Sequence, residues 1–200
     1  MSAYDPLSEK GKAMPPPMPD GHDIDLVRTS WQDVLDQPRE SETVSSAQVF
    51  GLAFYDALFK LNPAARTLFG TDVVRQSKML TYVIAYIARA PIIVPPTQPP
   101  TNLQDNEATP DLDSSWLIDS LRELGQRHYF YNVHPQDLLD VWPSIDAALK
   151  ATLKDKYTPV IAGAWRKTVD HVTYHLTFGI NTQRKISENK RRRTISCCTQ

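Results

Sequence analysis

The stretch Ser45-Ser46-Ala47-Gln48-Val49-Phe50-Gly51-Leu52-Ala53-Phe54-Tyr55-Asp56-Ala57-Leu58-Phe59-Lys60-Leu61, followed at once by Asn62-Pro63, decides the fold. Val49, Phe50, Ala53, Phe54, Ala57, Leu58 and Leu61 recur three and four apart, the spacing that stacks side chains on one face of a helix. Asn62-Pro63 stops that helix and starts a short one ending near Leu68-Phe69-Gly70, because proline lacks an N–H and clashes with the turn before it.

Working outward, Asp23-Ile24-Asp25 opens an earlier helix whose buried face carries Leu26, Trp31 and Val34. A fourth helix runs over 73–90 and Pro91 ends it. Residues 115–129 read as helix until Val133-His134-Pro135 breaks the pattern. Pro135 then suits the start of a helix over 136–153, with Leu139, Val141, Ile145, Ala148 and Leu149 on its apolar face. A last long helix is predicted over 158–178, and no segment reads as strand. The expectation is an all-α, orthogonal bundle of about seven helices.

With 200 residues and 41% apolar content, one domain is expected. Residues 1–22, with Pro15-Pro16-Pro17 and Pro19, are predicted to be a disordered extension, and 23–180 the folded domain. Residues 91–113 hold six prolines among Asn, Asp and Thr, too long a stretch for an ordinary connection and therefore a proline-rich insertion loop. No apolar run reaches bilayer-spanning length, and no secretory signal is read at the start. Both cysteines sit side by side at the C-terminus, leaving none for a disulfide in the domain and suiting a reducing cytosol.

The pattern resembles a globin across roughly 23–180. Leu26-Val27-Arg28-Thr29-Ser30-Trp31, Ala53-Phe54-Tyr55-Asp56-Ala57-Leu58-Phe59, Asn62-Pro63 leading to Leu68-Phe69, Leu124-Gly125-Gln126-Arg127-His128 and Ala164-Trp165 carry the likeness by their order and spacing. It is nearest in flavour to the globin domain of flavohaemoglobins. The resemblance implies a b-type haem between the 73–90 and 115–129 helices, with the second of these supplying an axial imidazole, the usual ligand of oxygen-binding haem. His128 is the implied iron ligand; His134 is its rival, past the helix end. Val133 and Pro135 are implied to line the proximal pocket, and Phe69 takes the haem-stacking position.

On the distal side the resemblance puts Gln76 where the family usually has His, four residues before Leu80, which would press on the haem face. A register displaced along the same helix would present Arg75 or Met79 instead. Tyr55 falls where several family members place Tyr, so that phenol and amide together would donate to bound dioxygen and hold it tightly. The Tyr and Glu that polarise the proximal His in flavohaemoglobins have only Leu138 and the Asn181-Thr182 region opposite them here, so a peroxidase-like iron is not expected. His171 and His175 lie four apart and read as packing residues or a weak metal pair, and Trp31, Trp142 and Trp165 as core.

The segment 181–200 reads as a basic tail. From Arg184 to Arg193 it carries six Lys or Arg against the single acid Glu188, and it ends Cys197-Cys198-Thr199-Gln200. A cysteine fourth from the end with Gln last fits a prenylation signal, although Cys198 and Thr199 are not the aliphatic pair that signal prefers. A polybasic run supplies the second signal that one lipid chain needs for stable anchoring. The functional expectation is a globin lipid-anchored on the cytoplasmic face of a membrane and binding dioxygen tightly. Its implied turnover is nitric oxide dioxygenation with an external reductase, since no reductase-like segment follows in these 200 residues. The competing expectations are a haem-based oxygen or redox sensor and an electron-transfer globin; nucleic acid is not an expected partner.

Overall fold

The computed structural model describes residues 15–38, 44–70, 72–89 and 114–197, with backbone alone at 89, 114, 115 and 194–197. The insertion loop expected over 91–113 and most of the disordered extension expected over 1–22 lie outside them, as do Cys198 and the last two residues.

Every described element is helical, and the fold of the described residues is all-α. α1 (Gly21–Leu35) begins at a reciprocal cap: Asp23 N–H donates to Asp20 Oδ1 at 2.9 Å and Asp20 N–H to Asp23 Oδ2 at 3.0 Å. Asp23 also accepts from Lys167 Nζ at 2.8 Å, tying the start of the domain to the last helix. The buried face of α1 is Ile24, Val27, Ser30, Trp31 and Val34; Leu26 is only half-buried, because Val27 takes the inward position. α2 (Ser46–Leu61) is capped by Ser45 and closed by Asn62, whose N–H bonds to Leu58 C=O. The Asn62 side chain then accepts from Ala65 N–H at 3.2 Å and starts a 3₁₀ turn (Pro63–Ala65) that leads into α3 (Arg66–Phe69). Thus Asn62-Pro63 ends one helix and begins the next. Val49 and Leu61, expected on the apolar face of α2, are exposed at its edge.

α4 spans Val73–Arg89, with Arg75 N–H donating to Asp72 Oδ1 at 2.9 Å. α5 spans Ser114–Phe130. The expected helix over 136–153 divides into a 3₁₀ segment (Pro135–Asp140) and α6 (Val141–Leu153), and Leu139, on the 3₁₀ segment, is exposed rather than part of the apolar face. After a further 3₁₀ turn (Lys154–Lys156), α7 runs from Pro159 to Cys197, well past the expected stop at 178. Nothing in 180–197 interrupts it: there is no proline or glycine, and Lys, Arg, Gln and Glu are all good helix formers.

Most of the core is one cluster that α1, α2, α4, α6 and α7 build together. α2 packs along α4 and α6, α1 along α7, and α5 along α7. Trp31 meets Phe50 edge-on at 5.2 Å and Trp165 at 6.4 Å, while Trp165 Nε1 donates to Ser30 Oγ at 2.8 Å. Trp31 and Trp165 are therefore core as expected, whereas Trp142 is half-buried. A smaller cluster, Leu117 and Leu121 of α5 with Val172 of α7, holds α5 to the rest.

Candidate functional site: the inner faces of α4 and α5

Where α2 crosses α4, Gly51 lies against Ser77 so closely that an added Cβ would stand 2.8 Å from the Ser77 carbonyl oxygen. Such an approach tolerates no slip of one helix along the other, so it pins the register of α4. Three stripes follow, each at helical spacing. Ser77, Thr81, Ile84 and Ala88 are buried, Gln76, Leu80, Val83 and Ile87 are half-buried, and Arg75, Met79, Tyr82 and Tyr86 are exposed. Gln76 and Leu80 thus share the inner stripe, and the displaced register with Arg75 or Met79 inward is not the one adopted. Leu80 packs against the main core, while Val83 and Ile87 belong to neither cluster among the described residues.

α5 carries a matching stripe, Leu117, Leu121, Leu124 and His128, buried at its start and half-buried toward its end. The two helices meet through the rings of Tyr86 and Trp116, 5.5 Å apart. Otherwise α4 and α5 share no extended packed seam among the described residues. From that contact, Gln76 lies ~15 Å back along α4 and His128 ~18 Å forward along α5 at 1.5 Å per residue. Gln76 and His128 therefore both stand well away from the point where the helices touch.

His128 is held in one tautomer. Its Nδ1 lies 2.8 Å from Leu124 C=O, which can only accept, so Nδ1 carries the proton and Nε2 keeps its lone pair. The chain turns directly after it: Asn132 adopts φ 61° and Val133 N–H donates to His128 C=O at 3.1 Å, which places Val133 in a buried position beside the imidazole helix. His134 is exposed, and its N–H donates to Asp137 at 2.7 Å as the 3₁₀ turn begins.

Tyr55 lies in an aromatic group one turn along α2 from the Gly51 crossing. Its ring stands edge-on to Phe54 and Phe69 at 5.0 and 5.1 Å and tilted to Phe59 at 5.8 Å, with the Arg66 guanidinium 4.5 Å over Phe59. Burial pushes the phenol up to about 12, so it stays a neutral donor across the physiological range. Its hydroxyl makes no hydrogen bond within the described residues. Tyr55 stands one helical turn from Gly51, and Gln76 adjoins Ser77, so the one pinned crossing sets the relation of Tyr55 to Gln76 and Leu80.

Several features of this region were not visible as pattern. Gly125 and Gly179 let α5 and α7 touch backbone to backbone, and only the packing makes those glycines necessary. A cavity of about 180 Å³ lies between the 3₁₀ segment, α6 and α7, lined by Leu138, Trp142, Arg166 and Thr173 among others. Thr182 donates its hydroxyl to Phe178 C=O of its own helix. Among the described residues no group of three or more His, Cys, Asp or Glu is placed to hold a metal ion. No helix among them is long and apolar enough to cross a membrane. No family model matches this chain, and no curated protein matches it.

Proposed function

We propose that the chain is a globin that takes a b-type haem between α4 and α5, with His128 as the iron ligand, and binds dioxygen beside Tyr55 and Gln76. The observation that carries this reading is the His128 Nδ1 to Leu124 C=O hydrogen bond, which leaves a lone pair on Nε2 of a half-buried imidazole. The half-buried apolar stripes fit a flat apolar group: Val83 and Ile87 on α4 and Leu124 on α5 belong to neither core cluster among the described residues, and Leu80 borders them from the edge of the main core. Phe69 and Val133 would border the group, Phe69 from the aromatic cluster and Val133 from beyond the end of α5.

Haem, when bound, supplies reversible dioxygen binding and one-electron chemistry. The chain's own part is to orient and exclude. Leu124 C=O fixes the tautomer and the plane of the imidazole. The Tyr55 hydroxyl and Gln76 amide supply donors where partial negative charge gathers, and a water-poor pocket strengthens both. Two donors favour slow release of dioxygen over delivery, and so favour dioxygenation of nitric oxide to nitrate with an external reductase.

The tail supports a place of action at a membrane surface. Arg184, Lys185, Arg191, Arg192 and Arg193 stand on a continuation of α7 that ends at Cys197, and Ile186 is the only apolar residue between 181 and 193. A helix without an apolar face has nothing to bury in a bilayer. It suits the headgroup layer, with a lipid at Cys197 or Cys198 as the anchor and the domain on the cytoplasmic side. The unbroken run of α7 from its contact with α5 to the tail favours a second reading, a membrane-tethered haem sensor. Ligand-dependent protection of the tail from protease would select it.

The absorption spectrum of the haem-loaded, reduced protein without oxygen tests the reading. One broad visible band, lost in His128→Gly and restored by added imidazole, is the expected result. Haem retention unchanged in His128→Gly would refute the assignment. Sharp split bands would mean a protein side chain on the sixth position, and electron transfer would replace gas chemistry as the function.

A further inference from the structure

The seam between α5 and α7 contains a group of nitrogen atoms without partners. His171 and His175, one turn apart on α7, are each 6% exposed, and their rings lie 4.7 Å apart at 74°. His171 Nε2 and His175 Nδ1 are buried with no hydrogen bond within the described residues, and so is Arg122 Nε on α5. Just beyond them the helices touch backbone to backbone. A Cβ at Gly125 would stand 2.9 Å from the Leu176 carbonyl carbon, and one at Gly179 2.9 Å from that of Arg122. The seam has no slack at that point.

A divalent metal is a poor occupant for the pair. The nearest carboxylate on α5, Asp119, faces Arg122 at 3.6 Å, and a doubly charged ion would be left buried beside a guanidinium. An added proton is different, since the ring can take one only if the seam lets in water or a counter-charge. We propose that the His171–His175 pair is a proton-operated latch: with both rings neutral, α5 lies closed on α7, and protonation opens the seam. The charged groups that face it are few. From α5 come Arg122, which opposes a second positive charge, and Asp119, which favours it; Tyr174 lies beside His175 at 5.1 Å on α7 itself. From α1 the Asp23–Lys167 pair sits one turn before His171, and α6 and the 3₁₀ segment bring no charged group that acts on either ring among the described residues.

Burial, then His171, then Arg122 hold the His175 imidazole down to about 4, and burial alone lowers His171. A ring that is freed when the seam opens returns toward its ordinary value near 6.5. A folded-state value below the open-state value means that closure is fully favoured above 6.5 and lost as pH falls from 6.5 toward 4. For His175 alone the open fraction rises roughly thirty-fold between pH 7.5 and 5.0. His171 and Arg122 remain beside the ring when the seam opens and keep its open-state value below 6.5, which reduces the rise to about ten-fold.

Hydrogen exchange of the full-length chain at pH 7.5 and 5.0, corrected for the intrinsic pH dependence of exchange, tests the latch. The α5 amides of residues 117–126 are expected to lose about ten-fold in protection at pH 5.0 while α2 keeps its own. The His171→Gln/His175→Gln protein is expected to show no such selective loss. Equal loss across both helices, or an unchanged loss in the double variant, would overturn the latch. Should the double variant fail to fold, the ring C–H signals of the two imidazoles in the wild-type chain decide instead. Midpoints well below 6 support the latch, and both rings titrating near 6.5 reject it.

Discussion

Replacing Gly125 or Gly179 with alanine reads the α5–α7 contact directly, and the magnitude follows from the spacing. At either position the new methyl carbon would stand 2.9 Å from a backbone carbonyl carbon of the partner helix, and nearer still to its oxygen. Ordinary contact between carbon atoms is ~3.5–4.0 Å, so the helices must part by over half an ångström. The obstacle is backbone, which has no rotamer to change. Overpacking of this kind costs about 1–3 kcal/mol, and backbone against backbone belongs at the upper end. Alanine gains back about 1 kcal/mol of helix propensity. The net loss is about 2 kcal/mol, or roughly 4–8 °C in Tm for a domain of this size. Gly163, also on α7, is the internal control, since its Cβ would meet nothing within 4 Å. Gly163→Ala should therefore stabilise the protein by about 0.5–1 kcal/mol. Thermal and urea unfolding of the three variants gives the sign of each. Gly125→Ala and Gly179→Ala proteins as stable as the wild type would refute the close seam.

Tyr55→Phe separates structure from chemistry: the hydroxyl has no partner within the described residues, so the loss of stability should stay below about 1 kcal/mol. Dioxygen dissociation from the haem-loaded variant should nevertheless quicken at least several-fold in stopped-flow, and an unchanged rate would sink the paired-donor account. Asp23→Ala keeps the Asp20 cap but removes the carboxylate that accepts from Asp20 N–H and receives Lys167, and urea unfolding should show a loss of about 1–2 kcal/mol. Changing Arg191, Arg192 and Arg193 together to Gln should weaken co-sedimentation with vesicles containing phosphatidylserine. At about 1 kcal/mol per charge the effect is on the order of a hundred-fold, and it should shrink in high salt. Binding that ignores both the substitutions and the salt would remove the electrostatic half of the anchor.

Helical periodicity was legible because it is local. The apolar spacing in α2, the stop at Asn62-Pro63 and the break around Val133-His134-Pro135 each act within a turn or two, and their helices appear within a few residues of the expected bounds. Errors arose where a neighbour intervened. Leu139 reads as apolar face by spacing, yet the chain there is 3₁₀, whose three residues per turn rotate it outward. The end of α7 was missed for another reason: a charged segment shows no buried face, and helix formation without one leaves no apolar period to detect.

By itself the sequence determined that the chain is helical and where most helices begin and end, and it named candidate side chains for an iron, a gas or a lipid. Those are properties of single residues and of neighbours within a turn. Tertiary packing alone decided the rest. Gly51 against Ser77 chose Gln76 and Leu80 over Arg75 and Met79, and Leu124 chose the tautomer of His128. The close approach of α5 and α7 buried His171 and His175, each with one ring nitrogen that makes no hydrogen bond among the described residues. Register and tautomer depend on which surfaces approach closely enough to exclude an atom or share a proton. That distance is set between residues far apart in the chain.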